Sequence, residues 1–295
     1  MASIRPRLLA LGLLFAMTFA QATPVLERIA AGGSLVIAHR ESSVPFSYMD
    51  NNKKPIGYAM DLCHRIAEAI RLKAKVKNMP IEYIMVTPAN RIPTIEQGKA
   101  DLECGSTTNN AERRKKVDFT IPHFITGARL LVRANNPAVR IEDLEGKTLV
   151  STKGTTPLKA VEQANRERLL RIKIIEAPDH EKAVEMVEKD EAQAFVMDDV
   201  LLYGLAATRP NPNALKVVGK FLTTEPLAIM LPKDDPAFKK VVDDEMRRLI
   251  HSKEIYTIYD KWFLQAIPPK NKALAMHTSH LLKDFWKYPT DQVPF

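Results

Sequence analysis

Eight residues could handle charge from where they stand in the chain: Arg40, Arg91, Arg113, His180, Asp198, Ser106, Thr108 and Thr156. An arginine guanidinium is a planar fork that bonds both oxygens of a carboxylate at once. Arg113 closes the run STTNNAER, which begins at Ser106. Thr156 stands where the loop STKGTTP enters a helical pattern. Backbone N–H groups at a helix start, with a hydroxyl beside them, make an anion site. Asp198 ends the strand-like run AQAFVMD, and the ends of parallel strands line clefts in open α/β sheets. Each residue also has a plain alternative. Arg40 could pair with Glu41, Arg91 with Glu96, and Arg113 could belong to the solvated run Arg113–Lys116. His180 could cap the helix it opens, and Asp198 or Asp199 could cap the helix that follows. The sequence has no GxSxG elbow and no Cys–His nucleophile pattern, so no catalytic residue is expected. The 7 histidines form no HxxxH or HExxH spacing, and Cys63 and Cys104 lie in no CxxC pattern. No metal site and no cofactor are expected.

Strands and helices alternate around these residues. LVIAHR (35–40) reads as a strand, and FSYMD–NNKKP–IGYAM as a hairpin with a polar turn. DLCHRIAEAI places Leu62, Ile66 and Ile70 four apart, on one apolar helix face. EYIMV and ADLEC read as strands on either side of a short helix, NRIPTIEQG, with Asn90 able to cap it and Gly98 able to end it. A second succession starts near residue 147: KTLVST, KIIEA and AQAFVMD as strands, each followed by a helix, then KVVG and LAIMLP as strands. Thr155 or Thr156 caps the first of those helices. Two α/β units of similar make-up imply two lobes. ITGARLLVRA (125–134) is the natural crossover, with a return near 217–230 that lets the helices after Pro236 join the first lobe. From Pro268-Pro269 onward few apolar positions are periodic, and the segment reads as a tail packed along the body.

The N-terminus reads as an export leader. Arg5 and Arg7 precede the uncharged run LLALGLLFAMTFA, and Ala20-Gln21-Ala22 fits a cleavage site after Ala22. The run is shorter than the roughly 20 apolar residues of a spanning helix. The protein is therefore expected in the periplasm. Losing the two leader arginines lowers the formal net charge of +8 by two. That surplus biases the surface towards anions without a basic, aromatic-interleaved stripe, so no nucleic-acid partner is expected. In an exported chain, two cysteines favour one disulfide, with two buried thiols as the alternative.

The stretch TPANRIPTIEQGKADLECGSTTNNAERRKKVDFT (87–120) resembles the periplasmic amino-acid-binding proteins of ABC transporters, and within them the glutamate/aspartate branch. HRESSVPFSY (39–48), STKGTTP (151–157), APDH (177–180), FVMDD (195–199) and IPPKN (267–271) agree in the same order. The resemblance implies an α/β, two-lobed periplasmic-binding-protein fold: two open, mainly parallel sheets joined by two crossing strands. Residues 23–128 and 217–266 would form lobe 1, 129–216 lobe 2, and 267–295 the tail. It also implies a ligand, glutamate or aspartate, delivered to a membrane permease by a monomeric carrier.

By the same resemblance, Arg113, Thr108 and Ser106 clamp the α-carboxylate, with Thr156 completing that site from the second lobe. Asp198 receives the ammonium, and Arg40, Arg91 and His180 hold the distal carboxylate. Three arginines exceed what one α-carboxylate needs, which favours an acidic ligand. One departure stands out: the branch has a serine three residues before the arginine matched by Arg91, and here that place is Pro88, with Thr87 as a substitute hydroxyl. That leaves room for glutamine. Two other roles share this fold: a sensing module for a membrane receptor, and an exported enzyme resembling cyclohexadienyl dehydratase.

Overall fold

The computed structural model describes residues 24–292. The expected leader and cleavage site therefore lie outside the described residues. Two sheets carry the architecture. The first runs Ile81–Met85, Leu35–His39, Leu102–Thr108, Glu225–Leu231, Asp118–Phe119, with Phe124–Thr126 also on Glu225–Leu231. The second runs Lys173–Ala177, Thr148–Thr152, Ala194–Asp198, Ala128–Arg133, Leu215–Val218. The chain has the two-lobed fold implied by its pattern. Each sheet is parallel across its first three strands and antiparallel beyond them. The reversed strands are Ala128–Arg133 and Glu225–Leu231, each the strand by which the chain enters its sheet from the other lobe.

Two expected boundaries shift. The crossover at 125–134 is two strands, not one: Phe124–Thr126 pairs in the first sheet and Ala128–Arg133 in the second. Leu215–Val218 pairs with Ala128–Arg133, so the return crossing begins after Val218 and not at 217. The chain re-enters the first sheet at Glu225, which faces Thr126 across an antiparallel pair.

Helix Tyr58–Lys73 buries Leu62, Cys63, Ile66 and Ile70 against the first sheet. Cys63 on this helix is disulfide-bonded to Cys104 on strand Leu102–Thr108. Helices Pro236–His251 and Glu254–Phe263 pack on Tyr58–Lys73, so the C-terminal part does join the first lobe. The tail contains a helix that sequence reading missed, His280–Lys287. Leu281, Leu282, Phe285 and Trp286 repeat four apart along it, a helical period that the reading of this segment as an aperiodic tail passed over; Leu282 and Trp286 are buried, and Phe285 packs beside them. Trp286 Nε1 donates to Pro122 O at 3.2 Å, and the ring meets Tyr256 edge-on.

The lobes touch closely at two glycines. A Cβ at Gly204 would stand 2.3 Å from Val44 O, and one at Gly154 2.8 Å from Pro88 O and Ala89 Cα. Only glycine lets the backbones approach this far. With Lys159 Nζ 2.8 Å from Glu112 Oε2 across the same divide, the structure is the closed form.

Candidate functional site

The site is built where strand ends and helix starts of both lobes converge. Ser106 and Thr108 end strand Leu102–Thr108, Arg91 opens helix Arg91–Glu96, and Arg113 lies on the short turn Arg113–Lys115. From the second lobe come Thr156, opening helix Thr156–Glu167, His180, opening His180–Glu188, and Asp198, ending Ala194–Asp198. Arg91, Ser106, Thr108, Thr156, His180 and Asp198 line one small cavity. Arg40, just after strand Leu35–His39, and Arg113 stand at its margin.

The plain alternatives are largely taken by other residues. Thr155, not Thr156, caps its helix, with Oγ1 accepting from Leu158 N. Asp179 caps the helix that His180 opens. Neither member of the Asp198/Asp199 pair gives a side-chain cap. Asp199 instead accepts from Thr126 Oγ1 at 2.6 Å, which ties it to the crossing strand. Asn90 also fails to cap Arg91–Glu96, because its Oδ1 accepts from Thr87 N. Within the run Arg113–Lys116 only Arg113 is buried.

All three arginines are nearly sealed, at 2% exposure for Arg40, 3% for Arg91 and 8% for Arg113. Arg40 Nε donates to Val86 O, and its Nη2 lies 3.5 Å from His180 Nε2. Arg113 Nη1 donates to Thr108 O at 2.9 Å, and its Nη2 reaches Gly154 O of the other lobe at 3.4 Å. Burial, and then the neighbouring Arg91 guanidinium, lowers both Arg40 and Arg113 to about 9. Both remain charged at neutral pH. Arg40 Nη1, Arg91 Nε and Ser106 Oγ are buried without a hydrogen-bond partner among the described residues. Unpaired buried donors are costly, so these atoms call for an anionic partner.

His180 is held far below its usual range by burial, then by Arg40 and Arg91, and so is neutral. A guanidinium only donates, so Nε2 is the acceptor facing Arg40. Nδ1 then carries the proton and donates to Thr152 Oγ1 at 2.8 Å. Asp198 Oδ1 is also buried without a partner among the described residues. Burial, then Glu225 and Asp199, pushes the Asp198 carboxyl well above the usual range, so its charged, accepting form requires a cation placed beside it.

Sequence reading missed two buried carboxylates. Glu103 is fully buried within strand Leu102–Thr108 and accepts from Thr107 Oγ1 at 2.6 Å. Glu225 is 2% exposed and accepts from Thr156 Oγ1 at 2.7 Å. Both act electrostatically on Arg91 and Arg113. A charged residue inside an apolar strand pattern was the available signal, visible in ADLEC. The substitution at Pro88 is not repaired by Thr87, which is exposed with its hydroxyl turned to Asn90 N. Pro88 is buried and gives its carbonyl to the contact with Gly154.

The arrangement offers three buried guanidinium groups and an Asp198 oxygen without a partner among the described residues, between two lobes in contact. Its electrostatics suit a small zwitterion with an additional acid. The family model described as bacterial extracellular solute-binding proteins, family 3, matches residues 35–265. The glutamate/aspartate import solute-binding protein of Salmonella typhimurium is 40% identical over 267 residues, covering 90% of this chain and 88% of that protein. The L-glutamate/L-aspartate-binding protein of Pseudomonas aeruginosa is 39% identical over 295 residues, with 98% of each chain covered. Among solved structures, the ancestral amino acid-binding protein AncCDT-1, a precursor of cyclohexadienyl dehydratase, is similar at a TM-score of 0.68 and 28% identity, covering 80% of this chain and 98% of its own.

Proposed function

The chain belongs to the bacterial extracellular solute-binding proteins, family 3, and from that premise we propose that it binds L-glutamate or L-aspartate between its lobes and delivers it to an ABC transporter permease. The observation that carries the ligand class is the gathering of three buried arginines in and at the margin of a cavity lined by an aspartate oxygen without a partner among the described residues. Arg113 and the helix start at Thr156 receive the α-carboxylate. Arg40, Arg91 and His180 receive the distal one, and Asp198 the ammonium.

The work is binding without chemical change. The ligand docks on the first lobe through Arg40, Arg91, Ser106, Thr108 and Arg113. The second lobe then closes with Thr156, His180 and Asp198, hinging where the chain crosses at Gly127 and between Val218 and Glu225. A ligand shifts such a balance only by its better contacts in the closed state. In this reading the carrier works as a periplasmic monomer, freed of its leader after Ala22. Thermal unfolding of the mature protein against a panel of amino acids tests the ligand class. Glutamate or aspartate should raise the midpoint most; an equal or larger rise with glutamine, or no rise with either acid, would contradict it. Incubation with the bound ligand should release neither ammonia nor water.

A further inference from the structure

We infer that Glu225, in the crossing strand, is a positioning residue that makes the site selective for an amino group. The inference rests on the proposed function and adds a residue to it. Three side chains form a chain of hydrogen bonds across the closed cleft. Thr108 of the first lobe and Thr156 of the second have their hydroxyl oxygens 3.1 Å apart, and Thr156 Oγ1 donates to Glu225 Oε2 at 2.7 Å. Each hydroxyl has one proton to give. A carboxylate can only accept, so the Thr156 proton goes to Glu225. Thr156 Oγ1 must then accept in its bond with Thr108, which commits the Thr108 proton as well.

Glu225 therefore fixes the direction of the whole chain. Neither hydroxyl has a proton left for the ligand. Both oxygens meet it as acceptors, beside Asp198 Oδ1, which lines the same cavity and has no partner among the described residues. A group placed among three acceptors must be a donor, as an ammonium is, and a ligand without one leaves the acceptors unpaired. This revises the expected part of the Thr108 and Thr156 hydroxyls in holding the α-carboxylate. That group is left to Arg113 and to backbone N–H groups at the start of helix Thr156–Glu167.

Glu225 is 2% exposed and belongs to the strand that links the lobes. Its hold on Thr156 exists only when the second lobe has swung onto the first. Amine selection and closure are in this way read by the same hydrogen bond.

The test compares L-glutamate with glutarate, the same dicarboxylate without the amino group, by calorimetric titration of the full mature protein. Glu225→Gln preserves the side chain's shape but can turn an N–H towards Thr156 and release its proton. The ratio of glutamate to glutarate affinity should fall by about tenfold or more, the scale of one charge-assisted hydrogen bond. Thr156→Val, which removes the oxygen through which Glu225 acts, should lower the same ratio. A merely structural role would weaken both ligands equally, so an unchanged ratio in either variant that still binds glutamate overturns the inference. Absence of glutamate binding by the unaltered protein would instead overturn the proposed function, and this inference with it.

Discussion

Arg40 shows what one residue contributes. Its guanidinium is buried, is held by Val86 O, and keeps Nη1 free of partners among the described residues. Arg40→Gln should reduce glutamate affinity on the order of 10- to 100-fold, since a charge-assisted hydrogen bond is worth roughly 1.5–3 kcal/mol. Titration calorimetry reads this directly, and an unchanged affinity would place Arg40 outside the site. His123 makes a different prediction. It is fully buried among Phe46 and Tyr58, and burial lowers it to about 3. Its folded value lies below the unfolded value of about 6.5, so between the two the unfolded chain binds more protons. The stability His123 contributes is present above about pH 6.5 and is lost as pH falls towards 3. Denaturant midpoints from pH 7 to pH 4 should fall less steeply for His123→Phe than for the unaltered protein. The arginines, Asp198 and His180 were singled out through a resemblance carried by separated segments, and the structure brings them around one cavity. Glu103 and Glu225 were not, because a lone acid in an apolar strand gives no hint of which buried cation it faces.

At the scale of elements, most strands and helices stand where periodicity places them, since each buries one face on a sheet. What failed were features decided by tertiary contact. Asp199 looks like a cap, but Thr126 of the crossing segment takes its side chain. The helix His280–Lys287 docks Leu282 and Trp286 on the first lobe, and its period at Leu281, Leu282, Phe285 and Trp286 was legible but overlooked beside the Pro268-Pro269 break. Helix Tyr58–Lys73 and strand Leu102–Thr108 are joined by the Cys63–Cys104 disulfide, whose partners are 41 residues apart. Closing a loop of that length restrains the unfolded chain by about 4 kcal/mol in the loop-entropy account. Reduction, or Cys63→Ser with Cys104→Ser, should therefore lower the unfolding free energy by several kcal/mol, measured by denaturant titration. Because strand Leu102–Thr108 also carries Ser106 and Thr108, the bond anchors the floor of the site. A variant as stable as the unaltered protein would contradict this.

For the whole molecule, function is the equilibrium between open and closed lobes. The two-lobe plan was legible from the repeated α/β succession. The return crossing falls between Val218 and Glu225, within the expected 217–230; what the sequence did not show is that KVVG pairs with Ala128–Arg133, far away in sequence. Gly204 offers a way to move the equilibrium without touching the ligand. Alanine there would set a methyl 2.3 Å from Val44 O in the closed form. Within a helix, alanine is favoured over glycine by about 1 kcal/mol. Gly204→Ala should thus keep or raise the thermal midpoint of the ligand-free protein while weakening glutamate binding. Small-angle scattering should show the glutamate-induced compaction of the unaltered protein diminished in the variant. A full compaction at unchanged affinity would mean that closure does not need that contact. The central claim, a cleft built for a dicarboxylic amino acid, is tested most directly by calorimetric titration of the mature, ligand-stripped protein with L-glutamate, L-aspartate and L-glutamine. Tight binding of one of the acids, with glutamine markedly weaker, is the predicted result; no heat with either acid, or glutamine binding as tightly, would contradict it.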